Sequence, residues 1–275
     1  MGRSRWLVLF LVLAISACGG SRGAVEHTNT GLQLQEQGLF GEAIAEYDEA
    51  IRLEPDYTVA YNNRGEAYRN LGQYERAIQD YDKAISLDLK LALAYSNRGL
   101  AYNDLGQYER AIQDHDKAIG LDPKDALAYN NRGAAYLGLG QYERAIQDYD
   151  KAIGLDPKMA IAYNNRGAAY AYQGRYERAI QDHDTAISLN PKYALAYYNR
   201  GVAYASLGQY ARAIQNYDKT ISLDPKFAVV YAYRSVAYTS VGKDAEARQD
   251  IERAVELGVE RATVEQAVEQ AKQQR

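Results

Sequence analysis

Glycine recurs at a fixed interval along almost the whole 275-residue chain, and this interval constrains the fold more than any other feature. The glycines that define it are Gly38, Gly72, Gly106, Gly140, Gly174, Gly208 and Gly242, 34 residues apart. Two helical patterns fall within each interval. A period of this length with two helices per unit is typical of a helix–turn–helix solenoid, in which each repeat packs only on its neighbours. We therefore expect an all-α fold.

The unit at 126–159 shows which residues recur. Its recurring residues are Tyr129, Gly133, Tyr136, Gly140, Tyr142, Ala145, Tyr149, Ala152 and Pro157. This pattern resembles the tetratricopeptide repeat family, which implies a right-handed superhelix of helix–turn–helix repeats. The resemblance covers seven units, at 24–57, 58–91, 92–125, 126–159, 160–193, 194–227 and 228–261. The last unit departs most from the pattern, as expected of a terminal repeat: Ser235 replaces the first-helix glycine, and Asp244 and Ile251 replace tyrosines.

The segment 262–275 follows the last repeat and carries its own apolar stripe. The stripe consists of Val264, Ala267, Val268 and Ala271, with glutamate and glutamine at the other positions. A helix with one apolar face is suited to covering the exposed end of a solenoid. We expect a C-terminal capping helix.

The N-terminus has the composition of an export signal. Arg3 and Arg5 precede an apolar run over Trp6–Ile15, which is too short to span a bilayer but suits the central region of a signal peptide. The run ends in Ile15-Ser16-Ala17-Cys18, which resembles a bacterial lipobox. The alternatives are an ordinary cleaved signal with an incidental cysteine, or an uncleaved anchor.

The lipobox resemblance implies a signal peptide over 1–17 and a lipidated Cys18, with 18–23 as a flexible tether. Two or three acyl chains would hold the protein permanently on a membrane, because each buried methylene adds ~0.8 kcal/mol. The expected location is the bacterial cell envelope, at the outer membrane and facing the periplasm.

Several classes of function are disfavoured by composition and spacing. The net charge is −4 and there is no basic stretch, which argues against a nucleic-acid partner. His27, His115 and His183 occupy positions where other units have tyrosine, which indicates packing variants. No Cys/His cluster has metal spacing, and no nucleophile stands beside a base. We expect no catalysis, no metal site and no cofactor.

The sequence YNNRGAAY occurs at Tyr129–Tyr136 and again at Tyr163–Tyr170. At about 100° per residue, Gly167 and Tyr170 lie on the packed side of a helix and Asn165 lies almost opposite. Six units share this asparagine row: Asn29, Asn63, Asn97, Asn131, Asn165 and Asn199. Because the first helix lines the concave wall in the tetratricopeptide family, the resemblance implies that the row points into a groove.

The row also resembles the asparagine ladder of O-linked N-acetylglucosamine transferase, where amides hold the backbone of a bound polypeptide. A carboxamide is both donor and acceptor, so it pairs with an extended chain of any sequence. The alternative is that duplication copied a neutral surface asparagine. The adjacent arginines, such as Arg132 and Arg166, lie at the edge of the packed side. We expect them to pair with the recurring aspartates of the second helices.

These patterns predict a lipid-anchored scaffold that binds an extended polypeptide in its concave groove. Tetratricopeptide lipoproteins of the bacterial envelope serve as adaptors for murein hydrolases or help to assemble secretins and pili, and the resemblance suggests a role of this kind. The alternative is a structural spacer or self-associating array without a dedicated ligand. A third hypothesis, an enzyme, lacks a catalytic cluster in the sequence.

Overall fold

The computed structural model describes residues 21–275, and within this range the chain forms fifteen α-helices and no strand. Internal contacts divide the chain into an N-terminal unit that ends at Leu139 and a C-terminal unit that begins at Gly140. The N-terminal unit contains α1 (Arg22–Glu36), α2 (Phe40–Leu53), α3 (Thr58–Asn70), α4 (Tyr74–Leu87), α5 (Ala92–Asp104), α6 (Tyr108–Leu121) and α7 (Ala126–Gly138). The predicted signal peptide and Cys18 lie outside the described residues.

The C-terminal unit contains eight helices in the described chain. They are α8 (Tyr142–Leu155), α9 (Ala160–Tyr172), α10 (Tyr176–Leu189), α11 (Ala194–Ser206), α12 (Tyr210–Leu223), α13 (Ala228–Ser240), α14 (Asp244–Glu256) and α15 (Arg261–Gln274). Within each unit, first helices of 13 to 15 residues alternate with second helices of similar length, and successive helices pack on each other. The predicted helix–turn–helix solenoid is confirmed.

The periodic glycine ends each first helix because the turn needs a left-handed backbone. All seven glycines have φ between 70° and 83°. Glycine adopts this conformation without the steric cost that a Cβ would add. At Gly72 the following residue, Gln73, donates its N–H back to the carbonyl of Tyr68 at 2.9 Å, which satisfies a carbonyl of the last helical turn. The period therefore has a direct backbone cause.

A second glycine, in the middle of six of the seven first helices, lets an aromatic ring from the second helix approach. A Cβ at Gly65 would lie 2.7 Å from Cε1 of Tyr81, and one at Gly201 would lie 2.6 Å from Cε1 of Tyr217. Both tyrosines are fully buried. In these repeats the ring therefore packs directly against the backbone of the first helix.

The last helix, α15, packs on α13 and α14. Val264, Val268 and Ala271 are buried on one face, in agreement with the predicted apolar stripe. The predicted capping helix is confirmed. Within residues 21–275, no helix is both long enough and apolar enough to cross a bilayer.

Candidate functional site

The arginine row consists of Arg64, Arg98, Arg132, Arg166, Arg200 and Arg234. Arg98 shows the usual arrangement, in which the guanidinium lies between two successive second helices and binds an aspartate from each. Arg98 donates from Nε and Nη2 to the two carboxylate oxygens of Asp114, both at 2.7 Å, and from Nη1 to Asp82. The side chain of Asp114 is 9% exposed, and that of Asp82 is 53% exposed. Arg98 thus joins one buried and one exposed aspartate.

The same arrangement recurs in both units. It joins Arg64 to Asp80 and Asp48, Arg166 to Asp182 and Asp150, and Arg234 to Asp250 and Asp218. The hydrogen bond with Asp114 is the main cause that raises the pKa of Arg98, so this guanidinium is charged throughout the accessible pH range. The predicted Arg–Asp pairing between helices is confirmed.

One position in the row departs from this pattern. Arg200 donates from Nε to the amide oxygen of Asn216 at 2.7 Å, where the other five repeats that carry the arginine have an aspartate. Asn216 also donates from Nδ2 to the carbonyl of Arg212 at 2.8 Å. Arg200 keeps its contact with the exposed Asp184. The sixth repeat therefore holds its arginine with one carboxylate instead of two.

The asparagine row is more enclosed than the helical wheel indicates. Asn63 and Asn131 are buried, with 2% and 6% of their surface exposed, and Asn29, Asn97, Asn165 and Asn199 are half-buried. The expectation that these amides lie opposite the packed side needs correction. Within one unit, first helices of adjacent repeats contact each other as well as their second helices, as α3 does with α1 and α5. The lateral neighbours cover the amides.

The asparagines also bind each other across neighbouring first helices. Asn97 donates from Nδ2 to Oδ1 of Asn62 at 3.1 Å, and Asn199 donates in the same way to Asn164 at 3.0 Å. Asn62 in turn donates to Asn63 at 3.3 Å. Nδ2 of Asn63 is buried without a hydrogen-bond partner in the described residues. The row is therefore part of a lateral amide network that retains unused donors.

Sequence reasoning missed the first asparagine of the NN pair as a member of this network. The doubled asparagine itself was the signal, because the pair occurs at Asn62, Asn130 and Asn164. Its side chain connects the row asparagine of its own repeat to that of the next, as Asn164 does for Asn165 and Asn199. In these three repeats the candidate site is therefore built from two adjacent positions on the first helix.

An exposed aliphatic row runs beside the asparagines. Its members are Leu93 and Leu127 in the N-terminal unit and Ile161 and Leu195 in the C-terminal unit, each between 39% and 48% exposed. Each lies four residues before a row asparagine, so the two side chains share one helix face. Exposed aliphatic groups at equivalent positions of successive repeats form a surface suited to contact with another molecule.

The histidines of the second helices are packing residues. His115 and His183 are completely buried and lie against Gly99 and Gly167. Burial lowers the pKa of His115 to about 4 and that of His183 to about 3. Both imidazoles are therefore neutral at physiological pH. In the part of the chain that the structure describes, no group of three or more His, Cys, Asp or Glu side chains is arranged to hold a metal ion.

Comparison with known families identifies the repeats. A family model described as tetratricopeptide repeat matches residues 58–90, 126–159 and 194–227. A second, described as TPR repeat, matches 31–72, 99–140 and 169–208. The chain belongs to the tetratricopeptide repeat family. The fold supports a protein-interaction scaffold, and proteins of this family are typically non-enzymatic and bind protein or peptide partners.

Solved structures agree with the fold of this tetratricopeptide repeat protein. A tetratricopeptide repeat protein from Parabacteroides merdae is 23% identical with a TM-score of 0.71, and the match covers 91% of this chain and 99% of that one. The Thermus thermophilus protein TTC0263 is 20% identical with a TM-score of 0.59, over 66% and 98% of the two chains. YrrB, described as a TPR protein with an unusual peptide-binding site, is 26% identical with a TM-score of 0.50, over 67% and 95%. No curated protein matches the sequence.

Proposed function

We propose that this tetratricopeptide repeat protein is a lipid-anchored scaffold of the bacterial cell envelope that binds an extended segment of a partner protein along its first helices. In this role it acts as an adaptor in the assembly of an envelope complex. The observation that carries the proposal is the exposed aliphatic row beside the asparagine row. YrrB, a related protein described as having a peptide-binding site, adds support.

The spacing of the two rows suits an extended chain. Neighbouring packed helices lie ~8–10 Å apart, and three residues of extended peptide cover about 10 Å. One repeat would thus meet every third residue of a bound segment. The aliphatic side chains supply apolar contact, and the half-buried amides of the row, such as those of Asn97 and Asn199, supply polar contact to the peptide backbone. Contacts of this kind favour binding that tolerates many ligand sequences.

The lipid anchor rests on Ile15-Ser16-Ala17-Cys18 directly after the apolar run. Labelling with a radioactive fatty acid in the native host tests this part of the proposal. We expect the wild type to carry lipid and to fractionate with membranes, and Cys18→Ala to lose both properties. Wild-type protein without lipid would refute the anchor and leave the scaffold untouched.

Peptide binding is tested with the full chain, extracted in mild detergent, against a display library of short unstructured peptides. The double variant Leu93→Ser, Leu127→Ser removes the aliphatic row from the N-terminal unit, and Ile161→Ser, Leu195→Ser removes it from the C-terminal unit. Both should weaken binding of the selected peptides by about tenfold or more and keep the helical circular dichroism of the wild type. Leu89→Ser is the matched control, because Leu89 is 67% exposed but lies outside the row.

Two outcomes would contradict this function. Equal binding by the row variants and by Leu89→Ser would show that peptides bind elsewhere. If no peptide of the library binds and sedimentation shows that the protein associates with itself as its concentration rises, the structural spacer or self-associating array is supported instead.

A further inference from the structure

The C-terminal unit contains a half-open cleft of about 300 Å³ that the asparagine and aliphatic rows do not explain. Its sides include Tyr172 of α9, Tyr198 of α11 and Tyr233 of α13, and His183 of α10 contributes to its lining from the second-helix layer. Ala171 and Asn199 also line it. The cleft therefore brings three tyrosines and a buried imidazole to one place.

The imidazole of His183 is the unusual element of this cleft. It is completely buried, and neither of its ring nitrogens has a hydrogen-bond partner in the described residues. The equivalent imidazole of His115 has one, because Nδ2 of Asn103 lies 3.4 Å from its Nε2. Ala171 occupies the position in the fifth repeat that Asn103 occupies in the third. The short alanine side chain leaves the ring without this partner.

The tyrosine walls are fixed by other rings. Tyr198 and Tyr233 form an edge-to-face pair with centroids 5.4 Å apart. Tyr172 stacks on Tyr142 with centroids 5.5 Å apart and only 4° between the ring planes. Tyr172 is nevertheless 67% exposed. Aromatic pairs of this geometry hold their rings in place, so the walls are ready to receive another ring.

The electrostatics of the cleft favour a neutral ligand. Among residues 21–275, no charged side chain lines it. Burial and the nearby guanidinium of Arg200 both lower the pKa of His183, so the imidazole offers one N–H donor and one nitrogen acceptor. The same guanidinium disfavours a cation beside the imidazole. A planar apolar group with one hydrogen-bonding atom at its edge matches this combination of walls and imidazole.

We propose that the cleft binds the side chain of a tryptophan or tyrosine of the partner polypeptide, with the ring against the tyrosine walls and its N–H or O–H hydrogen-bonded to His183. This inference rests on the proposed peptide-binding function and deepens it. It identifies an anchor residue for a surface that otherwise tolerates many sequences. A buried aromatic anchor is the kind of contact that dominates the energy of an interface.

The free ring tests the site separately from peptide binding. We would titrate the full chain with 5-fluoroindole and with 5-fluorobenzothiophene, a bicyclic ring of similar size without an N–H, and follow the ligands by fluorine NMR. 5-Fluoroindole should bind saturably, and 5-fluorobenzothiophene should bind about tenfold more weakly because it cannot donate to the imidazole. His183→Phe should remove the difference between the two ligands. Equal affinity of both ligands for the wild type would overturn the role of His183.

Two substitutions at Ala171 test the location. Ala171→Asn copies the Asn103–His115 pair, and Ala171→Leu fills the cleft with a residue that Leu137 already supplies at the same repeat position. Both variants should bind 5-fluoroindole about tenfold more weakly or worse with unchanged helical circular dichroism. Asn103→Ala is the matched control in the N-terminal unit and should bind like the wild type. Undiminished binding by Ala171→Leu would overturn the site.

The source of the ring is tested by competition. Selected peptides that contain tryptophan should displace 5-fluoroindole, and the same peptides with alanine at that position should not. Peptide binding without any binding of 5-fluoroindole would overturn the aromatic site and leave the scaffold function intact. Binding of 5-fluoroindole that no peptide displaces would overturn the polypeptide source.

Discussion

The two units share their scaffold contacts and differ on the faces of their first helices. Arg98 binds Asp114 in the N-terminal unit as Arg166 binds Asp182 in the C-terminal unit. The polar partners of the buried rings differ. In the N-terminal unit Gln35 accepts a hydrogen bond from Tyr47, and Asn103 lies within hydrogen-bonding distance of His115. In the C-terminal unit alanines stand at the corresponding positions, 171 and 205.

The difference shows which contacts the stacking of repeats demands. Arginine is kept at the position of Arg98 in six of the seven repeats, where it joins aspartates of successive second helices. The residue that faces the buried ring varies between repeats, as Gln35, Asn103 and Ala171 show. The C-terminal unit also has rings on its first helices, with Tyr198 and Tyr233 at positions where earlier repeats have threonine, serine or asparagine. The positions that join successive repeats and the positions that differ between the two units are thus distinct within one repeat.

The arginine row gives the largest expected effect. Arg98→Met leaves Asp114 buried without its two charge-assisted hydrogen bonds and should lower the free energy of unfolding by about 3–5 kcal/mol. Arg200→Met leaves a neutral amide, Asn216, that keeps its bond to the carbonyl of Arg212. That loss should be about 1–2 kcal/mol. Urea denaturation followed by circular dichroism measures both.

A third variant separates the role of the partner from the role of the unit. Arg166→Met lies in the C-terminal unit but removes the partner of Asp182, whose side chain is only 9% exposed. It should therefore resemble Arg98→Met and not Arg200→Met. Equal losses in Arg98→Met and Arg200→Met would mean that the buried carboxylate does not set the cost.

The buried histidines give the next largest effect, through pH. The pKa values of about 4 for His115 and about 3 for His183 lie below the value of about 6.5 expected in the unfolded chain, so the unfolded chain binds protons first as the pH falls. Their contribution to stability is complete above about pH 6.5 and is lost as the pH falls toward 4 and 3. Acidification from pH 7 to about pH 5 should cost about 2 kcal/mol per histidine.

Substitution by the tyrosine of other repeats provides the control. His115→Tyr and His183→Tyr should each remove about half of this pH dependence, because tyrosine is neutral over the same range. Urea midpoints at a series of pH values measure the slope. A double variant with the wild-type slope would assign the acid sensitivity to other groups.

The sequence predicted the scaffold well because each repeat repeats the same physical requirement. The turn needs glycine because its φ is positive, and the first helix needs glycine because a Cβ would meet a ring. The arginine needs a buried carboxylate. All three requirements are visible as periodic residues. The structure agrees at Gly72, at Gly65 with Tyr81, and at Arg98 with Asp114.

The candidate site was harder to predict because it depends on lateral neighbours. A helical wheel assigns one packed side to a helix, and it therefore placed Asn63 opposite the core, whereas Asn63 is buried between first helices. The cleft depends on the short side chain of Ala171, which lines it together with the imidazole of His183 from another helix. Periodicity shows the residues that the repeats share. It does not reveal a site that forms because one repeat has a short side chain.

The first-helix glycine gives a smaller effect and tests the last repeat against the others. Gly201→Ser places a Cβ 2.6 Å from Cε1 of Tyr217 and should cost about 1–3 kcal/mol. The last repeat combines Ser235 with Ile251, so no ring meets the serine. Gly201→Ser with Tyr217→Ile should therefore cost less than the sum of the single changes. Additive costs in a urea double-mutant cycle would exclude the contact as the cause.

The smallest effect concerns the asparagine contact that both units share. Asn97→Ala and Asn199→Ala each remove one hydrogen bond to the preceding first helix, worth about 1 kcal/mol. Alanine is the better helix former by about 0.5 kcal/mol, so the net loss of stability should be small and similar in the two units. Urea midpoints of the two single variants measure it. A much larger loss in one unit would show that the amide network is not equivalent in the two.

Binding of the selected peptides decides what the row does beyond this lateral bond. The fourfold change of Asn97, Asn131, Asn165 and Asn199 to alanine should weaken peptide binding by about tenfold or more while helicity is kept.

The matched control changes the inner asparagines, Asn62, Asn130 and Asn164, to alanine. It breaks the same lateral bonds at Asn97 and Asn199 and leaves the row itself present. If both sets lower stability alike and neither weakens binding, the row serves only to join first helices. A loss of binding confined to the fourfold variant would assign the row to the partner, because only that variant removes amides that a bound backbone would use.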